Sequence, residues 1–366
     1  MDQTQREHNA TANLDAVWDA SGGTRSRSAP TFSGSSPSGQ GEFPSDSTDL
    51  GPGAPNHYES GQPVETSPGV YAEDKVRLWG PVYATLGGRA DYASGSDTWT
   101  VDPRGALAWR IDDHQTVRVA GGRYHQLPPA LDLDDVYGNP TLGPLAADHV
   151  IAGYEWKTPD HNVRIEAYRK RYTDLITTSP KTYYANEGHG YAQGVDFFAQ
   201  VSNRQLSGWI SYGYMDSRRM EQDDPRELPS AYGVAHSATL VATYAWRPTI
   251  HFGGRYSVSS GRPYTPILGG AYDSTAARWQ PIQAENRSGL MPFYQRLDLR
   301  VTQLFSLPAG GGLPASSVCV LYVEVLNALD IRNVLDYSYN EDYSQRTEVD
   351  SYFGKRMAVA GVAMTW

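Results

Sequence analysis

His57 and Glu59 stand at the His-x-Glu spacing that lets a histidine hold zinc while a glutamate moves a proton, as in nucleobase deaminases. That chemistry needs a Pro-Cys-x-x-Cys partner, and the chain has one cysteine, Cys319. A single cysteine also excludes an internal disulfide and a cysteine zinc cage, so Cys319 reads as a small apolar strand residue. Gly188–Gly194 (GHGYAQG) comes near a dinucleotide loop but has one residue too many and leads into a strand rather than a helix. Asp132, Asp134 and Asp135 could meet a cation, yet they lack the glycine and closing glutamate of a calcium loop and read as solvated charge. The nine histidines show no metal-ligand spacing. His189 and His236 flank strand starts, where capping or rim roles are the simpler reading. The expectation is no enzyme, no metal site and no cofactor.

The elements that must carry these side chains are strands. Thirteen half-buried patterns run back to back from about Gly69 to Trp366, with connections alternating between short and long. Short ones fall near Leu78–Pro81, Ile111–Gln115, Lys157–His161, Ser202–Gln205, Trp246–Thr249 and Leu307–Ser316. Long ones fall near Ala93–Pro103, Leu127–Ala147, Thr177–Gly190, Ser217–His236, Arg262–Phe293 and Asp330–Gly354. Tight turns on one rim and long loops on the other are the layout of bacterial outer-membrane barrels. The 36 Gly, 24 Pro and 25 Tyr of the 366 residues suit turns and aromatic strands. No stretch approaches the roughly 18–20 uncharged apolar residues of a spanning helix. The mean hydropathy of −0.53 would ordinarily read as soluble, but it misleads for barrels, because only alternate residues of each strand meet lipid. A formal net charge of −10 argues against nucleic acid, which needs a basic face.

A lipid-facing Arg or Lys at mid-bilayer costs roughly 2–4 kcal/mol, so charges should keep to one parity. They largely do. Arg296, Asp298, Arg300 and Thr302 alternate with Leu297, Leu299 and Val301. Arg89 and Asp91 oppose Leu86, Gly88 and Ala90; Arg104 and Arg110 oppose Gly105, Leu107, Trp109 and Ile111. Arg164, Glu166 and Lys170 oppose Val163, Ile165 and Ala167, with Arg169 breaking the rule near the strand's end; Glu324 opposes Leu321, Val323 and Val325. A soluble sandwich alternates too. Strands of roughly 11–14 residues, longer than the usual soluble strand, favour a tilted bilayer crossing. So do aromatics near strand ends (Tyr83, Tyr92, Tyr124, Trp156, Tyr212, Tyr214, Tyr244, Trp246), where an interfacial girdle belongs.

Residues 1–68 read as a separate low-complexity stretch, disordered or an extracellular loop, because Gly/Ser/Pro-rich segments such as Ser33–Gly41 bury too little to offset chain entropy. Residues 69–366 read as the barrel part. An odd strand number, with residues 1–68 on the long-loop rim, implies that preceding strands are missing.

Several segments, in order, resemble the carboxyl-terminal part of the barrel of a TonB-dependent outer-membrane receptor. They are Tyr71–Tyr92, Pro103–Ile111, Gly138–Trp156, Gly194–Gln200, Ser259–Pro266, Arg296–Val301 and Val323–Asp330. Leu145 stands where the family usually has an acid, Asp196 replaces a glutamate, and Ala328 and Leu329 depart from the usual strand end. Trp366, with Met364, Val362 and Ala360 at alternate positions, resembles the terminal signal read by the barrel-assembly machinery; otherwise it is a plain edge strand.

The resemblance implies an all-β, antiparallel transmembrane barrel in the bacterial outer membrane, here about 12–14 strands of a 22-strand type. It implies an amino-terminal plug and a TonB box, neither of which this sequence shows, so TonB would act only on the full-length protein. The implied role is import of a scarce ligand, siderophore-like or glycan, with outer-membrane lipid and the assembly machinery as partners. By position, ligand contacts would come from Arg123, Tyr124, Tyr137, Asn139, Tyr264 within Pro263–Pro266, and Trp279. A passive outer-membrane channel and a soluble extracellular carbohydrate-binding β protein are the competing readings.

Overall fold

A computed structural model describes residues 4–13, 16–20, 24–44, 56–60, 65–94, 96–133, 138–179, 183–221, 224–307, 317–351 and 354–365, with side chains from residue 67 onward. Four strands lie in the first part: β1 (Thr4–Asn13), β2 (Ala16–Ala20), β3 (Thr24–Pro44) and β4 (Asn56–Ser60). Then come β5 (Glu65–Trp79), β6 (Val82–Ala93), β7 (Thr98–Arg110), β8 (Gln115–Gln126), β9 (Leu145–Lys157), β10 (His161–Ser179), β11 (Tyr183–Ser202) and β12 (Leu206–Glu221). Short β13 (Asp224–Pro229) precedes β14 (His236–Arg247) and β15 (Ile250–Ser259). A long loop holds β16 (Pro263–Tyr264), β17 (Ile267–Asp273), β18 (Arg278–Gln283) and β19 (Gly289–Leu290). The chain then returns through β20 (Tyr294–Ser306) and β21 (Val318–Leu326), crosses a loop containing β22 (Val334–Tyr339) and β23 (Arg346–Asp350), and runs through β24 (Met357–Thr365).

Eighteen of these strands form one antiparallel sheet. Thirteen of them, from β5 on, are the long strands expected from the alternation, each paired with the next as far as β21 with β24. Among the described residues the sheet does not close on itself.

The register explains why the alternation works. Residues directly opposite on paired strands share a face, and an outward row runs Val117–Tyr154–Ile165–Phe197–Tyr212–Ala238–Val258 across seven strands. Leu299 and Val301 continue this face through Val325 and Val323 to Ala358 and Ala360. Val119, Val150, Ile165, Leu240, Leu299 and Val323 are all exposed, as side chains against hydrocarbon must be in a lone chain. Deep burial occurs instead in the loops, at Leu142, Asn327 and Asn333. Asp74 is an exception on the outward face: it stands opposite Leu86, with Ser26 of β3 as its other register partner.

The structure corrects several expectations. Residues 1–68 do not run wholly as loop: β3 pairs with β5 from Arg25↔Lys75 to Ser35↔Glu65. Gly/Ser-rich chain can join a strand that already presents unpaired N–H and C=O groups, since the ladder needs backbone rather than apolar side chains. The expected long connection Ala93–Pro103 is largely strand, with pairing continuing to Ala93↔Thr98. There Tyr92 donates to Asp97 Oδ1 (2.7 Å), and Thr98 Oγ1 donates to Ser96 O (2.8 Å). The connection near Thr177–Gly190 is mostly strand, β10 and β11 staying paired as far as Ser179↔Tyr183. Tyr83 is not a girdle residue: it turns inward between Lys75 (5.7 Å) and Arg110 (5.1 Å).

Candidate functional site

The inward face carries charges that pair within and across strands. Arg104 of β7 reaches over Gly87 of β6 to Glu73 of β5 at 3.1 Å, a path that a side chain at Gly87 would obstruct. Arg118 meets Glu155 at 3.2 Å, Arg296 meets Asp298 at 2.7 Å, and Arg300 approaches Glu324 at 3.9 Å. Arg300 also lies 3.9 Å from the Tyr322 ring centre, and that ring lies against Gly361, where a Cβ would collide with it. Over β14, β15 and β20, Thr239, Arg255, Ser257, Tyr294, Arg296 and Asp298 line a cavity of about 300 Å³. Two guanidinium groups, one carboxylate and several hydroxyls suit hydrogen bonding to a polar solute.

Above this wall the long loops pin one another. Arg226 of β13 reaches Glu285 at 2.6 Å, and Arg287 donates to Pro229 O at 2.8 Å. Arg262 donates to Leu335 O at 3.2 Å and lies 3.5 Å from Asp336, while Tyr264 packs on Tyr337 with ring centres 5.3 Å apart. Buried Asn333 ties the last loop to β20: its Oδ1 accepts from Gln295 N (2.8 Å) and its Nδ2 donates to Gln295 O (2.9 Å). Asn327 spends its amide in the same way, donating to Ile331 O (3.0 Å) and accepting from Ile331 N (3.2 Å).

Charge in the loops follows these contacts. The hydrogen bonds from Arg226 hold the Asp224 carboxyl down at about 2, and Asp224 with Glu285 keeps the Arg226 guanidinium protonated to still higher pH. Burial, helped by the neighbouring Arg219, lowers the pKa of Arg287. Burial raises the Asp132 carboxyl. Asp134 and Asp135 lie outside the described residues.

Those residues expected to contact ligand that the structure describes have partners within the protein. Tyr124 faces inward, its ring tilted against that of His149 with centres 4.7 Å apart. Arg123 faces outward, 3.7 Å from Asp148, because one residue along a strand reverses the face. Asn139 spends its amide on the protein, donating to Tyr184 O (2.8 Å) and accepting from Thr141 N (2.9 Å) and Thr141 Oγ1 (2.6 Å). Tyr264 is engaged with Tyr337, and Trp279 lies edge-on to Tyr272 at 5.4 Å. Tyr137 lies outside the described residues. Sequence reasoning missed Arg255 as a cavity residue and Arg226, Arg262 and Arg287 as loop ties. Inward parity marked Arg255, whereas nothing in the local sequence marked the loop arginines. Of the terminal signal, Ala360, Val362 and Met364 share the outward face of β24, opposite Val323, Leu321 and Cys319; Trp366 lies outside the described residues.

A meander with an apolar outer belt, a paired-charge inner face and interlocked loops on one rim invites comparison with known barrels. A family model described as TonB dependent receptor-like, beta-barrel matches residues 2–311. The chain belongs to this family. It is a bacterial outer-membrane β-barrel protein, its long loops on the extracellular rim. Among solved structures it is similar to the outer membrane transporter YddB from Escherichia coli, with 16% identity and a TM-score of 0.67 over 98% of this chain and 54% of that one. It is also similar to the ferric-catecholate import receptor Fiu from Escherichia coli K12, at 12% identity and TM-score 0.69 over 99% and 55%. The FrpB iron transporter from Neisseria meningitidis gives 13% identity and TM-score 0.68 over 99% and 55%. At these identities the likeness shows the fold alone. This TonB-dependent receptor chain spans about half the length of the solved structures it matches.

Proposed function

We propose that this chain forms wall and outer vestibule of a receptor that imports a scarce ligand, siderophore-like or glycan, with the TonB complex acting on the full-length protein. The observation that carries the reading is the inward cavity of Thr239, Arg255, Ser257, Tyr294, Arg296 and Asp298, beneath loops joined to one another rather than splayed. Its donors exceed its acceptors in charge, which suits a ligand rich in carboxylate, catecholate or hydroxyl oxygens. Tyr124, Tyr264 and Trp279, on or above the inward wall, offer aromatic faces on the way in. The import receptor named Fiu and the iron transporter named FrpB support the siderophore-like branch by fold. The outward residues Ala360, Val362 and Met364 would be the part read by the barrel-assembly machinery.

The test is uptake by cells expressing the full-length protein, using labelled ferric siderophores and labelled oligosaccharides. An importer gives saturable uptake that stops when a protonophore collapses the membrane energy supply, and an Arg255→Ala/Arg296→Ala variant weakens it. Linear uptake insensitive to the protonophore would instead identify a passive channel.

A further inference from the structure

On some wall strands the outward face carries small or apolar residues toward the extracellular rim. Val258 on β15 and Val325 on β21 are examples, whereas β14 ends outward in His236 and β20 in Gln295, neither an arginine. One sector differs. On β8 the outward series Val117, Val119, Gly121 ends in Arg123. On β10 the series Ile165, Ala167 continues into Arg169 and Arg171, and on β12 Tyr212 and Tyr214 lead to Asp216 and Arg218. Register joins them laterally: Arg123 is opposite Asp148, Asp148 opposite Arg171, Arg171 opposite Tyr191, and Tyr191 opposite Arg218. Strands about 4.8 Å apart put these three arginines at intervals of about 10 Å along the rim.

Their partners are few. Asp148 lies 3.7 Å from Arg123 and Asp216 lies 3.4 Å from Arg218. Tyr191 donates to the second oxygen of Asp216 at 2.9 Å, so that carboxylate is already engaged. Among the described residues, Arg169 and Arg171 make no ion pair. Four arginines against Asp148, Asp216 and Glu227, the last lying 3.7 Å from His189, leave an excess of one positive charge on a face whose lower part is apolar. A loop-borne ligand would meet the inward face, so these outward side chains serve something beside the barrel.

We propose that the outward rim of β8–β12 binds the phosphate-bearing headgroup of an outer-leaflet lipid through Arg123, Arg169, Arg171 and Arg218. The guanidinium forks match phosphate oxygens bidentately. The acyl chains of the same molecule lie on Val119, Val150, Ala167 and Val195 directly below, so one lipid satisfies both parts of the face. A protein partner would need no such division between charge above and hydrocarbon below. This inference rests on the membrane placement and not on the import reading.

The test is native mass spectrometry of the full-length protein, delipidated in detergent and offered a bisphosphorylated glycolipid of the lipid A type or its dephosphorylated form. The phosphorylated lipid should be retained and its analogue not, and inorganic phosphate in large excess should fail to displace it. An Arg169→Gln/Arg171→Gln variant should lose roughly tenfold or more in retention, whereas Arg204→Gln/Arg247→Gln, removing equal charge toward the opposite rim, should lose none. Heat-dependent gel mobility reports whether each variant is folded; if the double variant is not, Arg171→Gln alone is read in the same way. Equal retention of both lipid forms, full displacement by phosphate, or an unaffected folded variant would overturn the proposal.

Discussion

β20 and the loop before it are neighbours in sequence, yet different forces hold them. In β20 every second residue, Leu297, Leu299 and Val301, faces outward, and the residues between them pair their charges inside. The strand is specified by a repeat, and any one outward side chain can be exchanged for another of similar hydrophobicity. Residues 260–293 have no repeat. Beyond the short β16–β19 and β17–β18 pairings, they are held by single contacts to distant partners: Arg226 to Glu285, Arg287 to Pro229 and Tyr264 to Tyr337. The wall is therefore tolerant of detail and intolerant of polarity. The loops are the reverse, indifferent to mean hydropathy and dependent on named donors and acceptors.

Substitutions can break or sharpen that contrast. The largest effect is expected for Leu299→Arg, which sets a charge in the belt at roughly 2–4 kcal/mol. The heat-shifted, folded band on a gel should nearly vanish, while Thr239→Arg, facing the cavity, should leave it in place. Comparable bands for the two variants would remove the distinction between the faces.

Asn333→Ala should come next. It leaves the N–H and C=O of Gln295 without their buried partner, at about 1–3 kcal/mol. Because the loss is local, protease should cut within residues 327–356 several times faster while the wall strands stay protected; uniform cutting of loop and wall would show that they are not separate units.

The smallest effect concerns pH. The Asp224 carboxyl is depressed to about 2 against an ordinary value of 3.8, so its tie to Arg226 is fully present above that ordinary value and is lost as pH falls through about 2. Protease sensitivity of residues 222–235 should rise over that interval, slightly, since the pair is exposed. Asp224→Asn should make the profile flat, and an unchanged profile would show that the pair contributes nothing measurable.

Particular residues show what could be read without coordinates. Leu297, Leu299 and Val301 against Arg296, Asp298 and Arg300 identified a strand and its two faces, because a period of two has only one geometric meaning. Arg169 broke the rule where the structure has an outward arginine at the rim, so the irregularity marked a location rather than an error. Ala93–Pro103 reads as a long loop because glycine, serine and aspartate mark a turn without giving its length. Asn139 reads as a ligand contact from its position, and its bonds to Tyr184 and Thr141 are visible only in the structure, since a loop asparagine looks the same until its partners are known.

By itself the sequence determined the thirteen long strands from β5 onward, which of their faces meets lipid, and which rim bears the loops. These follow from periodicity and from the cost of charge in hydrocarbon, both local properties of the chain. Tertiary structure alone decided that Arg255, Arg296 and Asp298 share a cavity, that Arg226 finds Glu285, and that Arg123, Arg171 and Arg218 align on one outward sector. Such meetings depend on register between strands far apart in sequence, and register is fixed by the whole ladder rather than by any segment of it.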